Sequence, residues 1–183
     1  MSNIVIRKAT ENDAEVIIDI NIEVWNATYK GLIPRDVIDS LQVKTEERIN
    51  IVKKHIKERQ NYYVAEVDGV VVGYHAFGET KDDNYKGSGE IYAGYILDKY
   101  QGMSLGRKMA IACMKDLLDK GYKTMVSKCL QGNPSNAFHK SIGGVLVGTC
   151  DCTLRDVHVG KENVYFHDDL AKSLEYNLNK LKK

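Results

Sequence analysis

The stretch Tyr100-Gln101-Gly102-Met103-Ser104-Leu105-Gly106-Arg107-Lys108 is the part of the sequence best equipped to bind an anion. It joins an apolar run to an amphipathic one, so it reads as a turn from a strand into a helix. Gly102 and Gly106 relax the backbone, and Ser104 is small. The first N–H groups of a helix have no partner within it, and the helix dipole adds about half a positive charge there. A phosphate or diphosphate would satisfy those donors. Arg107 and Lys108 stand in the first turn, where their charge opposes the dipole unless an anion offsets it. A plain connecting loop would use the same residues, and on spacing alone both readings stand. Two other phosphate motifs are excluded. Gly106 is followed by Arg-Lys-Met rather than Lys-Ser/Thr, and no G-x-G-x-x-G opens an early strand-helix unit.

The other reactive side chains show no such grouping. His55, His75, His158 and His167 have no ligand spacing, so no metal is expected. Cys113, Cys129, Cys150 and Cys152 form no C-x-x-C pair and read as small buried hydrophobes.

The elements around the turn follow from periodicity. Ile4 to Ile6 reads as a strand, and Thr10 to Asp13 as a capping box. Ala14, Ile17, Ile18, Asn21, Trp25 and Thr28 follow at helical spacing, and Gly31 and Pro34 end that helix. A polar-rich helix is expected over 45–58. Tyr62 to Val67 and Val70 to Phe77 flank Asp68-Gly69, a tight hairpin signal. A polar loop over 81–89 precedes a strand from Glu90 to Leu97, whose Gly94 suggests a bulge or a close backbone approach. The next helix carries Leu105, Met109, Ala112, Cys113 and Leu117 and closes at Gly121. A strand from Met125 to Leu130, a short helix after Asn133-Pro134, and strands at Val145–Leu154 and Val164–Phe166 complete the order. Leu170, Leu174, Leu178 and Leu181 then mark a C-terminal helix. Hairpins and strand-helix-strand units are mixed, so the expected class is α/β (α+β), helices on a mixed sheet.

Composition agrees with this reading. The 183 residues fit about one domain. The net charge of +1 excludes bulk attraction to nucleic acid or to an anionic membrane. The opening M-S-N-I-V-I-R-K has no apolar core long enough for a signal peptide, no apolar run reaches the length of a membrane span, and a reducing cytoplasm is the expected setting.

The segment E-I-Y-A-G-Y-I-L-D-K-Y-Q-G-M-S-L-G-R-K-M resembles motif A of the GNAT superfamily of N-acetyltransferases, [QR]-x-x-G-x-[GA], here Gln101-x-x-Ser104-x-Gly106. N-P-S-N-A-F-H-K-S-I-G-G is similar to their downstream motif, and W-N-A-T-Y-K-G-L-I-P to their first-helix region. The resemblance covers roughly residues 3 to 170, giving an acetyltransferase domain over 1–170 and a helical tail over 171–183. It implies a central sheet of about seven strands flanked by helices, with an acyl-CoA cleft between the fourth and fifth. It also implies acetyl-CoA as donor, no metal, and a small-molecule or peptide amine as acceptor. Similar enzymes are commonly dimers.

The resemblance places the pantetheine arm against Tyr95, Ile96 and Leu97. It places the diphosphate at Gln101, Gly102, Met103, Ser104, Leu105, Gly106 and Arg107, with Asn133 and Asn136 beside the pantetheine or adenosine. Ser104 stands at the family's first glycine position and is expected to fit with a negative φ. His139 stands where the family commonly has a tyrosine near the coenzyme sulfur, and it becomes the candidate acid. An alkylammonium must lose a proton before it can attack a thioester. Glu90, near where the family often carries a glutamate, is the candidate base, although a solvated strand-end carboxylate would look the same. Trp25, Tyr29 and Tyr92 are candidate acceptor walls, or simply packing aromatics. A non-catalytic coenzyme A or acyl-CoA binding module is the alternative.

Overall fold

The computed structural model describes residues 2–182; Met1 and Lys183, the outer ends of the two expected segments, lie outside the described residues. One seven-stranded sheet runs in the order β1-β2-β3-β4-β5-β7-β6. Its strands are β1 (Ile4–Lys8), β2 (Tyr62–Val67), β3 (Val70–Glu79), β4 (Gly89–Ile96), β5 (Met125–Leu130), β6 (Val145–Leu154) and β7 (Val157–His167). Among the described residues six α-helices accompany them: α1 (Ala14–Thr28), α2 (Arg35–Leu41), α3 (Glu46–Arg59), α4 (Leu105–Asp119), α5 (Asn136–Ser141) and α6 (Leu170–Leu181).

The expected mixed architecture is present, with two differences in its elements. α2 lies in a stretch read as connection, because seven residues after Pro34 make too few turns to show a period. β7 begins seven residues before the expected Val164, through Gly160, Lys161 and Glu162. Those residues carry no apolar alternation to mark a strand: Lys161 is exposed, and Glu162 lines the cleft rather than the core.

Helices cover both faces of the sheet. α1 and α3 bury Ile17, Ile18, Ile49 and Ile56 against Val64, Tyr74 and Ala76. On the other face Met114 and Leu117 of α4 and Leu170 of α6 pack on Phe77, Ile91 and Met125. α2 closes the β5–β7 end with Val37 and Ile38 against Leu130 and Cys152. The entry to α1 has the expected box: Asp13 Oδ2 accepts from the Thr10 N–H at 2.7 Å, and Arg7 clamps the same carboxylate at 2.7 and 2.9 Å. Asp68 (φ 52°) and Gly69 (φ 82°) form the hairpin turn with both central residues at positive φ.

Among the described residues β4 and β5 form the one parallel pair of strands, and it has three rungs: Gly89↔Met125, Glu90↔Val126 and Ile91↔Ser127. Beyond Ile91 the two strands part. The register of β4 against β3 steps from Phe77↔Ile91 to Ala76↔Ala93, leaving Tyr92 as an extra residue. Such a bulge bends and twists its strand, and here it sits where the parallel ladder stops. The expected bulge at Gly94 therefore lies two residues earlier. Gly94 answers a different need, since a Cβ there would come 2.8 Å from the ring of buried His75.

Candidate functional site

The parting of β4 and β5 opens a cleft of about 650 Å³ that runs from the start of α4 to the α1–α2 side of the sheet. Leu97 N–H donates to Val72 O at 3.0 Å, which fixes the phase of the β3–β4 ladder. Backbone groups alternate sides along a strand, so Tyr95 and Leu97 turn theirs to β3. Gly94 and Ile96 turn theirs into the gap, and Gln101 Nε2 reaches Ile96 O there at 3.4 Å. Of the three strand residues expected to meet the pantetheine arm, Ile96 thus offers its backbone directly. Tyr95 contributes its side chain to the cleft wall, and Leu97 does not line the cleft.

The turn into α4 leaves its first N–H groups without a partner in the helix. Lys108 N–H makes the first intrahelical bond, to Ser104 O at 3.0 Å. The N–H groups of Leu105, Gly106 and Arg107 precede it, and the Ser104 side chain does not cap them. Ser104 has φ 60° and ψ 15°, in the left-handed region. This overturns the expected negative φ. A left-handed residue followed by right-handed ones curls consecutive N–H groups into one concave cradle. The family's glycine reaches this geometry freely, whereas serine reaches it at a cost of about 1–2 kcal/mol. Ser104→Gly should therefore raise the free energy of unfolding by up to about 1 kcal/mol, after the extra chain entropy of glycine, with coenzyme A binding undiminished. Ser104→Val should lower both, since a β-branched residue is an outlier at this φ. Urea unfolding and calorimetric titration with coenzyme A check the pair.

The remaining cradle residues divide by role. Gln101, Gly102, Ser104, Leu105, Gly106 and Arg107 line the cleft, whereas Met103 packs into the core beside Val72 and Met109. The Arg107 guanidinium is held by Asn177 of α6 and by Ser141 O at 3.0 Å, so it braces the first turn of α4 against α5 and α6. Fully buried Asn177 also donates to Ile142 O at 2.7 Å. α6 is thus anchored to the wall of the cleft. Asn133 lines the cleft and accepts from Ser135 N–H at 2.8 Å. Asn136 does not line it: its amide bonds Leu130 O and Asn133 O, and its oxygen accepts from Asn163 and Tyr165.

His139 lines the cleft, stacks on Tyr165 with centroids 5.2 Å apart, and pairs Nδ1 with Ser127 Oγ at 2.8 Å. Burial lowers its pKa to about 4, so the ring is neutral at pH 7. When Ser127 is the donor, the ring proton sits on Nε2. Buried His75 also lines the cleft, with Nδ1 unpartnered, and burial together with His139 lowers its pKa to about 3.

Glu90 stands outside the lining of the cleft, at the middle rung of the three-rung ladder, and accepts from Thr80 Oγ1 at 2.6 Å. Trp25, Tyr29 and Tyr92 all line the cleft. Trp25 and Tyr29 have ring centroids 4.6 Å apart, and Tyr92 donates its hydroxyl to Glu79 O. Burial pushes the Tyr92 phenol up to about 12. The structure adds two charged residues that the motifs do not reveal, Lys128 and Glu162. Lys128 Nζ is held by Asp82 at 2.7 Å. Burial raises the pKa of Glu162, with Lys128 acting against it. Among the described residues no group of three or more His, Cys, Asp or Glu has the geometry of a metal site. No helix among them is long and apolar enough to cross a membrane.

Comparison with known proteins points the same way. The sequence pattern of the acetyltransferase (GNAT) family matches residues 25–144. An uncharacterized N-acetyltransferase, YuaI, of Bacillus subtilis (strain 168) is 28% identical over 139 residues, spanning 75% of this chain and 78% of the relative. Phosphinothricin N-acetyltransferase of Streptomyces viridochromogenes is 27% identical over 150 residues, 79% of this chain and 75% of that enzyme. The crystal structure of the PaiA N-acetyltransferase of Thermoplasma acidophilum in complex with coenzyme A superposes with a TM-score of 0.72 at 18% identity. That match covers 90% of this chain and 98% of the other.

Proposed function

The chain belongs to the GNAT family of acetyltransferases, and on that premise we propose that it acetylates a primary amine of a small molecule or peptide by direct attack within a ternary complex. The observation that carries this reading is the cradle of unpaired N–H groups at the start of α4, opening onto the gap between β4 and β5. A linear donor with a dianionic diphosphate and an amide-bearing arm matches that combination. The α4 turn would hold the diphosphate, and Gly94 and Ile96 would pair the arm's amides as a neighbouring strand would. Bound acetyl-CoA supplies an activated thioester.

The chain's own residues carry the rest of the proposal. A backbone N–H of β4 facing the gap, at Gly94 or Ile96, polarises the thioester carbonyl. Glu90 takes the amine proton through water, its orientation fixed by Thr80. His139, neutral and oriented by Ser127, offers an N–H at the leaving sulfur rather than acting as an imidazolium acid. The amine-acetylating relative named for phosphinothricin supports a small acceptor. The four free cysteines suit a reducing cytoplasm, the proposed setting.

Thiol release from acetyl-CoA, followed across a panel of amines, tests the reading. Amine-dependent release is expected, and coenzyme A binding without turnover on any amine would count against it. Glu90→Gln should lower kcat several-fold or more and change the rate profile between about pH 6 and pH 9. Identical profiles would remove Glu90 from the reaction.

A further inference from the structure

Glu162 is a charged group of the cleft that no sequence motif accounts for, and the Cys152 thiol donates a hydrogen bond to its carboxylate. β7 places it opposite Leu130 of β5 and Cys150 of β6, on the sheet face covered by α1 and α2. This is the face away from α4 and its anion cradle. The side chain is half-buried, and among the described residues no cation lies within 4 Å of its carboxylate. Lys128, the positive charge that acts on it, is committed to Asp82 at 2.7 Å. A partly desolvated carboxylate without a cation partner is unfavourable in the empty protein, and a cationic ligand relieves it. The Trp25 and Tyr29 rings line the same cleft and pack against the cluster that holds Leu130 and Cys152, and aromatic faces attract an organic ammonium. Ile33 and Leu154 complete an apolar wall.

From this arrangement we infer that Glu162 is the acceptor-binding carboxylate, holding the ammonium of a monoamine whose apolar or aromatic body lies against Trp25 and Tyr29. The inference rests on the acetyl-transfer reading and gives its acceptor a class. A polyamine fits poorly, because Lys128 repels a second ammonium and the side walled by Trp25, Tyr29, Ile33 and Leu154 offers it no second carboxylate. Glu162 and Glu90 then divide the work: the first binds the ammonium and the second receives its proton. The charged and titratable groups facing Glu162 are Lys128 and Cys129 of β5, Glu90 and Tyr95 of β4, Cys150 and Cys152 of β6 and Tyr29 of α1. Burial raises the pKa of the Glu162 carboxyl, in keeping with the missing cation.

The test uses phenethylamine as the probe, titrated calorimetrically into protein saturated with coenzyme A, alongside steady-state acetylation of the same amine. Glu162→Gln should raise Kd and KM for phenethylamine about 10- to 100-fold with a much smaller change in kcat. Glu162→Asp should recover part of the loss, and Glu90→Gln should instead lower kcat with Kd retained. Spermidine should bind more weakly than phenethylamine. Unaltered phenethylamine binding in Glu162→Gln overturns the inference, as does failure of the wild type to bind the probe or a preference for spermidine. Coenzyme A affinity, measured separately in each variant, reports folding. Its loss in the wild type would defeat the acetyl-transfer reading itself, whereas intact coenzyme binding with no effect at Glu162 defeats only the acceptor assignment.

Discussion

Gly106→Glu should weaken coenzyme A binding by about 100-fold or more while leaving the protein folded. Position 106 is the second residue of α4, inside the anion cradle. A carboxylate there is favoured by the helix dipole, so the helix itself is not harmed. It would take up the N–H groups proposed to hold the diphosphate, and would repel the diphosphate as well. The Cβ alone would come 3.0 Å from the Phe138 ring, which forms part of the cleft wall. Gly106→Ala separates the two effects. It keeps the contact with Phe138 without the charge, and its loss should stay under about tenfold, since alanine favours the helix and the ring can shift. Calorimetric titration of both variants decides the matter. Wild-type affinity in Gly106→Glu would mean that the anion lies elsewhere.

Stability should fall steeply as the pH drops from about 7.5 to about 5. His75 and His167 are buried and His139 nearly so. Burial lowers their pKa values to about 3, about 4 and about 4 respectively. An unfolded histidine titrates near 6.5, so between about pH 6.5 and pH 4 the unfolded chain binds protons that the folded chain refuses. The sign is therefore a contribution fully present above the unfolded pKa and lost as the pH falls toward the folded one. At pH 5 each such histidine removes about 2 kcal/mol relative to neutral pH, and three remove about 6. That is comparable with the whole stability of many domains. Urea unfolding at several pH values checks this, and a midpoint that stays level between pH 7.5 and pH 5 would contradict it.

The parts of this molecule legible in the sequence are those governed by neighbours in the chain. Asp68-Gly69 dictates its own turn, Thr10 and Asp13 form their own cap, and Gln101 to Gly106 announces the strand-to-helix turn. What escaped depends on residues far apart in sequence. The bulge at Tyr92 exists because β4 must follow β3 on one side and leave β5 on the other, and no local pattern encodes that conflict. The left-handed Ser104 contradicts its residue type, and only its place at a glycine position hints at it. Asn136 carries the motif's signature, yet its hydrogen bonds go to Asn163, Tyr165 and neighbouring carbonyls. Glu162 is a lone acid in a strand, and it gains meaning only when the antiparallel ladder brings it beside Leu130.

The short β4–β5 ladder also bears on how the molecule behaves mechanically. Strands β1–β4 and β5–β7 form two plates stitched together at one end by three rungs, Gly89 to Ile91. Past that seam, cohesion between the plates depends on the helices that straddle it. An extended ligand arm lying in the gap would act as the absent strand and make the two plates one cooperative unit.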